Sequence, residues 1–221
     1  MLIHPWDASL DEQEWQQWLA GTDRFGMLVV NNTDPAEAPL VLPTHFCLAG
    51  DELLLHLARP NPVWPHLQAA QSVRLVVVGD YAYIPSYWRN RAGGPDEDGV
   101  PTSYYATVQF VGRPTVIDDP QGKVDILTAQ FADLQPEGLH PEVAVDQAPY
   151  GRMLSGIRGI RIQIAAVEAK FKYDDHNPVD HRERVIDDLH TRDHGLDHGA
   201  AAQQQRRLAA IGDWRTHRRR P

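Results

Sequence analysis

The sequence has little cysteine and no long apolar segment. Cys47 is the single cysteine among 221 residues, which excludes an intrachain disulfide and favours a reducing compartment. No apolar stretch approaches the roughly 20 residues that a membrane-spanning helix requires. The N-terminal segment MLIHPWDASLDEQEW also lacks the basic and apolar regions of a secretory signal. We therefore expect a cytoplasmic protein in which Cys47 is a buried thiol.

Common catalytic signatures are also absent from the sequence. It contains no GxSxG, HExxH, CxxC, P-loop or GxGxxG pattern, and no residue is indicated as a required acid, base or nucleophile. Thirty acidic side chains against 21 basic ones give a net charge of −9. Such a chain repels nucleic acid unless its basic residues gather on one face. Direct DNA binding is therefore disfavoured, although basic residues do cluster in QQQRRLAA and DWRTHRRRP.

Extended segments dominate the predicted secondary structure. Strands are predicted in RFGMLVVNN, in APLVLPTHFCLA and DELLLHLA around a turn, in SVRLVVVGDYAYIPSYW with a break at Gly79-Asp80, in VPTSYYATVQFVGRPTVID and in RGIRIQIAAVEAKFKY. Helices are predicted in LDEQEWQQWLA and after Asn61-Pro62, Asp119-Pro120 and Asn177-Pro178. Six or seven strands that do not alternate with helices favour a mostly β (α+β) fold. We expect a single, mostly antiparallel barrel with peripheral helices.

Polar and aromatic residues gather at the predicted strand ends. Arg59 ends one strand and offers phosphate oxygens a bidentate fork, while Asn61 is expected to cap the next helix, where free backbone N–H groups favour anions. A cleft for a phosphorylated ligand with a flat ring would need such groups. A surface role for Arg59, and core or barrel-filling roles for the other residues, remain open alternatives. The candidate residues are Arg59, Asn61, Lys170, Thr44, His45, His56, Tyr83, Ser86, Trp88, Thr102 and Tyr104.

Three histidines near the C-terminus have a regular spacing. His190, His194 and His198 recur every four residues, so one continuous helix would place the three imidazoles on one face and allow zinc or nickel binding. Gly195 and Gly199 weaken such a helix. We therefore predict a solvated connector here and no metal site.

Seven segments, taken in order, carry a resemblance to a known family. They are FGMLVV, PTHFCL, LLLHLARPNPVW, DYAYIPSYW, VPTSYYATVQFVGRPTVI, MLSGIRGIRIQIAAVEAKFK and HNPVDHRERVIDDL. From residue 2 to residue 189 the chain resembles the PaiB-type FMN-binding negative transcriptional regulators. The resemblance implies a split-barrel, flavin-reductase-like fold that binds FMN at a homodimer interface.

The same resemblance implies roles for individual residues. Arg59 and Asn61 are expected to meet the FMN phosphate, with Lys170 as a second cation. The chain departs from the family pattern at Ser103, and also at Asp174-Asp175, where two carboxylates follow the predicted cation. FMN is nevertheless the expected cofactor.

Three functions remain open at this point. The first is an FMN-binding flavoprotein with oxidoreductase activity, in which the cofactor carries the redox chemistry. The second is a negative regulator of transcription that uses FMN as a structural or sensing ligand and acts through partners or DNA. The third is a split-barrel scaffold that has lost FMN. The predicted organisation is an FMN-binding domain over residues 1–189 and a peripheral, polar, partly helical extension over residues 190–221.

Overall fold

The computed structural model describes residues 1–90 and 94–214. The chain forms two compact units. Unit 1 combines Met1–Gln17, Val78–Val108 and Ala169–Pro221, and unit 2 combines Trp18–Val77 and Gln109–Glu168. Each unit is therefore assembled from segments that are distant in the sequence.

The elements follow one another in a mostly β order. The helices are α1 (Glu12–Ala20), α2 (Trp64–Ala69), α3 (Pro120–Leu134), α4 (Tyr150–Met153), α5 (Val179–Arg192) and α6 (Asp197–Ile211). The strands are β1 (Phe25–Val30), β2 (Leu40–His45), β3 (Cys47–Ala49), β4 (Glu52–Ala58), β5 (Val73–Ile84), β6 (Thr102–Ile117) and β7 (Ile157–Lys172). Among the described residues, no helix is both long and apolar enough to cross a membrane.

The strands form one seven-stranded sheet in the order β2-β1-β5-β6-β7-β4-β3. Strand β1 pairs antiparallel with both β2 and β5, and β4 pairs antiparallel with both β3 and β7. The long strands β5, β6 and β7 contribute residues to both units. The expected mostly antiparallel sheet with added helices is confirmed.

Helix α3 begins and packs as its sequence predicts. Asp119 is its N-cap, and the Asp119 Oδ1 accepts a hydrogen bond of 2.7 Å from the Gly122 N–H. Within unit 2, Ile126 of this helix packs against Cys47 and Leu54. Burial raises the pKa of the Cys47 thiol to about 11, so the thiol stays protonated, as expected for a buried structural cysteine.

Two predicted strand boundaries were wrong. The segment predicted as one strand before the Gly50 turn breaks at the buried Phe46, because β2 pairs with β1 while β3 pairs with β4. The predicted break at Gly79-Asp80 does not occur, and β5 runs through both residues. Asp80 has a φ of 49°, and its carbonyl accepts a hydrogen bond of 2.9 Å from the Tyr173 hydroxyl within unit 1. A local turn signal was therefore overridden by the tertiary structure.

Unit 1 contains charged side chains that are entirely buried. Arg182 of α5 and Arg207 of α6 both have no exposed surface, and both donate to the buried carboxylate of Asp175, at 2.9 and 2.6 Å. Arg207 also donates to Glu14 of α1 at 2.7 Å. The polar C-terminal segment thus supplies buried contacts within unit 1, while the predicted domain boundary at residue 189 stays a prediction.

Candidate functional site

Arg59 lies directly after β4, at the surface of unit 2. Its Nε donates to the Ser155 carbonyl at 2.6 Å, and its terminal nitrogens form a bidentate pair with the two carboxylate oxygens of Asp118, one contact being 3.1 Å. Both side chains are 42% exposed. The fork of Arg59 is therefore preoriented for an anion at a position that a ligand can reach.

Two further cations approach the same carboxylate. The Arg158 Nε lies 3.2 Å and the Lys123 Nζ lies 3.6 Å from Asp118. The hydrogen bond from Arg59 lowers the pKa of Asp118 below its ordinary value of 3.8. We name Arg59, Lys123, Arg158 and Asp118 the cationic cluster. Two positive charges of the cationic cluster have no counter-ion within it.

One donor of the cationic cluster is buried and unpartnered. The Arg158 Nε is close to Asp118 but not aligned for a hydrogen bond, and it has no other acceptor within the described residues. A buried donor without an acceptor is costly, so it points to an acceptor supplied from outside the chain. A phosphate group is such an acceptor, and its charge of about −2 matches the uncompensated charge of the cationic cluster.

Contacts from Trp64 hold Arg59 and Arg158 of the cationic cluster in place, and the sequence did not predict them. The Trp64 Nε1 donates to the Arg59 carbonyl at 2.9 Å, and the Arg158 guanidinium stacks on the Trp64 ring at 4.9 Å. Asn61 was expected to be the helix cap, which is wrong because the cap is Val63 and α2 begins at Trp64. The Asn61 Oδ1 instead accepts the Val63 N–H at 3.0 Å in a local turn.

A cavity of about 740 Å³ lies in unit 2 and includes three predicted residues, Thr44, His45 and His56. This volume falls within the roughly 300–1,000 Å³ of ligand pockets. The His56 Nδ1 lies 2.6 Å from the Gln130 Oε1, and because that oxygen only accepts, the His56 proton is on Nδ1. The cavity therefore offers imidazole, hydroxyl and amide groups for a polar ring.

Lys170, Thr102 and Tyr104 lie in unit 1 and have protein partners there. The Lys170 Nζ is largely buried, donates to the Leu2 carbonyl at 2.9 Å and lies 3.6 Å from Asp7. The Thr102 hydroxyl accepts a hydrogen bond of 2.6 Å from Lys172. Tyr104 is fully buried, which raises the pKa of its hydroxyl.

Tyr83, Ser86 and Trp88 also lie in unit 1, at and after the end of β5. The Arg192 guanidinium stacks on the Trp88 ring at 4.6 Å and donates to the Tyr83 carbonyl at 2.8 Å. The Tyr83 side chain is 60% exposed. Ser86 begins the short 3₁₀ turn that ends at Trp88.

The two carboxylates at the departure from the family pattern are buried and paired. The Asp174 Oδ2 lies 2.8 Å from Arg89 and 3.2 Å from the Tyr104 hydroxyl. Asp175 is held between the two buried arginines of α5 and α6. Both negative charges are therefore compensated within unit 1.

The structure places five of the eleven predicted residues in unit 2 and six in unit 1. Thr44, His45 and His56 line one cavity, and Arg59 belongs to the cationic cluster. The convergence of all eleven residues on one cofactor stays a prediction.

Sequence reasoning missed Asp118, Lys123, Arg158 and Gln130. Asp118 is 59 residues from Arg59 along the chain, so no local spacing links them. One available signal was the position of Asp118 at the end of β6, directly before the cap of α3. Arg59 was selected because it is a polar residue at the end of a predicted strand. The same criterion applied to β6 would have included Asp118.

Similarity to known proteins defines the class to which this fold belongs. The flavocytochrome Anf3 from Azotobacter vinelandii superposes with a TM-score of 0.56 at 19% identity, covering 76% of this chain and 70% of that one. The FAD and heme binding protein from Mycobacterium smegmatis gives a TM-score of 0.54 at 18% identity, covering 75% and 73%. These similarities confirm the predicted fold, a split antiparallel β-barrel with helices.

The family follows from the sequence itself. Residues 1–166 match the family described as "Putative FMN-binding domain", and the chain belongs to that family. A relative, the "Protease synthase and sporulation protein PAI 2" of Bacillus subtilis (strain 168), is 25% identical over 130 residues. That match covers 58% of this chain and 57% of the relative, little more than half its length. The predicted resemblance to PaiB-type proteins is thus confirmed.

FMN is the cofactor of this family, and the protein is an FMN-binding flavoprotein. The residues present fit that group. The cationic cluster has uncompensated positive charge and a buried donor without a hydrogen-bond partner among the described residues, and a phosphate can complement both.

Proposed function

We propose that the protein is an FMN-dependent oxidoreductase whose cationic cluster holds the phosphate of FMN. The uncompensated charge around Asp118 carries this proposal, because a phosphate dianion would neutralise it. Arg59 would turn its bidentate fork from Asp118 to the phosphate, and Arg158 would supply the donor that has no hydrogen-bond partner among the described residues.

The remaining chemistry would come from FMN, which accepts and donates hydride or single electrons when it is bound. This chain would bind and orient it. Thr44, His45 and His56 line a cavity of suitable size, in which His45 could donate a hydrogen bond to a polar ring edge and the His56 Nε2 could accept one. Gln130 fixes the His56 ring and keeps its proton on Nδ1, so that Nε2 is available to accept a hydrogen bond.

The first test is spectroscopic. Purified protein titrated with FMN should quench the flavin fluorescence and develop a structured flavin absorption band, and the bound flavin should be released as FMN on denaturation. Bleaching of that band by NADH or NADPH under anaerobic conditions would support turnover. A protein that never binds FMN would instead be a scaffold that has lost its cofactor.

A second candidate function is supported by the similarity to PAI 2, whose name refers to protease synthesis and sporulation. In this alternative the protein is a negative regulator that uses FMN as a sensing ligand. The net charge of −9 argues for action through protein partners rather than through DNA. A salt-sensitive mobility shift of promoter DNA, with no bleaching by nicotinamide nucleotides, would favour the regulator over the enzyme.

We also propose a homodimer built on the exposed face of β1 and β2 in unit 2. Phe25, Met27 and Val41 are 45%, 42% and 57% exposed, and the strand register places them on one face together with Pro43 and His45. An apolar sheet face of this kind is typical of a protein interface. The Phe25 ring contacts His45 edge-on at 4.9 Å, so a predicted flavin contact would lie at the dimer interface.

The molar mass in solution, measured by light scattering during size-exclusion chromatography, tests whether the protein is this homodimer. The wild type should have twice the mass of the chain, whereas Met27→Lys and Val41→Lys should be monomers. Leu139→Lys, at a position 93% exposed and outside β1 and β2, is the control and should remain dimeric. A monomeric wild type would refute the proposal.

A further inference from the structure

The turn between α5 and α6 brings two exposed histidines together. His190 lies in the last turn of α5, and His198 is the second residue of α6. Their Nδ1 atoms are 3.1 Å apart, and their ring centroids are 5.2 Å apart. From the sequence, one continuous helix was needed to bring the histidines together. In the structure, His190 and His198 meet although they belong to two different helices.

A neighbouring carboxylate determines the tautomer of one imidazole. The His198 Nε2 lies 2.7 Å from the Asp193 Oδ1. A carboxylate accepts hydrogen bonds, so the proton is on Nε2, and the lone pair of the His198 Nδ1 accepts a hydrogen bond from the His190 Nδ1–H. A metal ion bound by both Nδ1 atoms would take the place of that proton, which would move to the His190 Nε2. Asp193 is held at the end of α5 with a left-handed φ of 47°.

This geometry matches a pair of metal ligands. Zinc–nitrogen bonds of about 2.0–2.1 Å place two ligands of a tetrahedral ion roughly 3.3 Å apart, close to the observed separation. Metal-binding histidines commonly donate their second ring N–H to a carboxylate, as His198 does to Asp193. The nearby Asp197 is neutralised by Arg192 at 2.6 Å, so Asp193 leaves negative charge at the pair.

We propose that His190 and His198 form a two-histidine site for a divalent transition metal of the zinc type, with Asp193 as the residue that positions His198. The His198 and Asp193 side chains are 62% and 71% exposed, so water completes the coordination. Within residues 1–90 and 94–214, no group of three or more potential ligand side chains is suited to a metal ion. The site is therefore open, and weaker than a structural zinc site with four protein ligands.

Isothermal titration of the full-length protein with zinc chloride tests the proposal. The wild type should bind one equivalent through this pair, and His190→Ala and His198→Ala should each lower the affinity at least about tenfold. Asp193→Asn should lower it by about tenfold, because it removes the carboxylate that orients His198. His194→Ala, an exposed histidine in the same turn, is the matched control and should bind as the wild type does.

A second readout identifies the ligand atoms. In ¹⁵N-edited spectra of the imidazoles, zinc should shift the Nδ1 resonances of His190 and His198 and leave those of His194 unchanged. Circular dichroism of each variant should show the wild-type fold, since all three side chains are exposed. Absence of zinc binding, unchanged affinity in the His190 and His198 variants, or an equal loss in His194→Ala would overturn the proposal.

Discussion

Two groups of arginines in this protein differ in burial and in charge balance. In unit 2, Arg59 is 42% exposed and shares one exposed carboxylate, that of Asp118, with two other cations. In unit 1, Arg207 is fully buried and donates to Asp175 and Glu14 as well as to two backbone carbonyls. The first group has more positive than negative charge, whereas in the second each buried guanidinium is paired with a buried carboxylate.

The difference separates a binding function from a structural one. A buried arginine is tolerated when a buried carboxylate pairs with it, and it then holds together the segments that supply the partners. The exposed pair of Arg59 and Asp118 contributes little to stability, and the excess positive charge around it can bind an anion. Charge balance, rather than the presence of arginine, thus distinguishes the two regions.

The largest effect is expected in the buried region. Arg207→Ala should lower the free energy of unfolding by about 3–5 kcal/mol, because Asp175 and Glu14 would lose a buried partner. Urea denaturation followed by circular dichroism measures the change. Arg206→Ala is the control: its side chain is 39% exposed and also contacts Glu14, so it should cost no more than about 1 kcal/mol. Equal losses in both variants would remove the distinction between the two regions.

The same substitution in both regions should have different consequences. Asp175→Asn should destabilise the protein by about 3 kcal/mol, because it removes the buried negative charge that Arg182 and Arg207 share. Asp118→Asn should leave the urea midpoint almost unchanged and strengthen FMN binding severalfold, because it removes a negative charge beside the phosphate. Urea titrations and flavin fluorescence titrations of both variants provide the test. Weaker FMN binding by Asp118→Asn would mean that Asp118 positions Arg59 rather than competes for it.

Acid should produce the smallest effect. Arg59 lowers the pKa of Asp118 in the folded protein below 3.8, so its stabilising contribution is complete above that pH and is lost as the pH falls through the folded value. The small difference in urea midpoint between the wild type and Asp118→Asn should be present at about pH 5 and shrink as the pH falls below 3.8. A difference that persists in acid would have to come from packing and not from charge.

Local sequence chemistry predicted several elements well. Asp119-Pro120 carried both signals of a helix start, a capping carboxylate and a proline at the first position, and α3 begins there. The strand candidates in β1, β4, β6 and β7 were recognised from their branched and apolar residues. Asn61-Pro62 carried similar helix signals, but these two residues lie in a turn and α2 begins at Trp64, two residues after Pro62.

Long-range pairing was outside the reach of sequence patterns. Arg207 lies in the segment AAAQQQRRLAA, whose polarity is typical of an exposed helix, yet its partners Glu14 and Asp175 bury it completely. Asp118 and Arg59 likewise meet because β7 lies between β6, which ends before Asp118, and β4, which ends before Arg59. The family resemblance indicated Arg59 and the cofactor, but not the other members of the cationic cluster.

The most direct test of the account compares FMN with riboflavin, which has the same ring but no phosphate. The wild type should bind FMN far more tightly than riboflavin, and Arg59→Ala should weaken FMN binding by about 10- to 100-fold, since it removes hydrogen bonds to a charged group. Its affinity for riboflavin should not change, and Arg161→Ala, an arginine of β7 that pairs with Glu52, should behave as the wild type. If Arg59→Ala weakened the binding of both flavins equally, or of neither, Arg59 would not hold the phosphate and the central claim would be wrong.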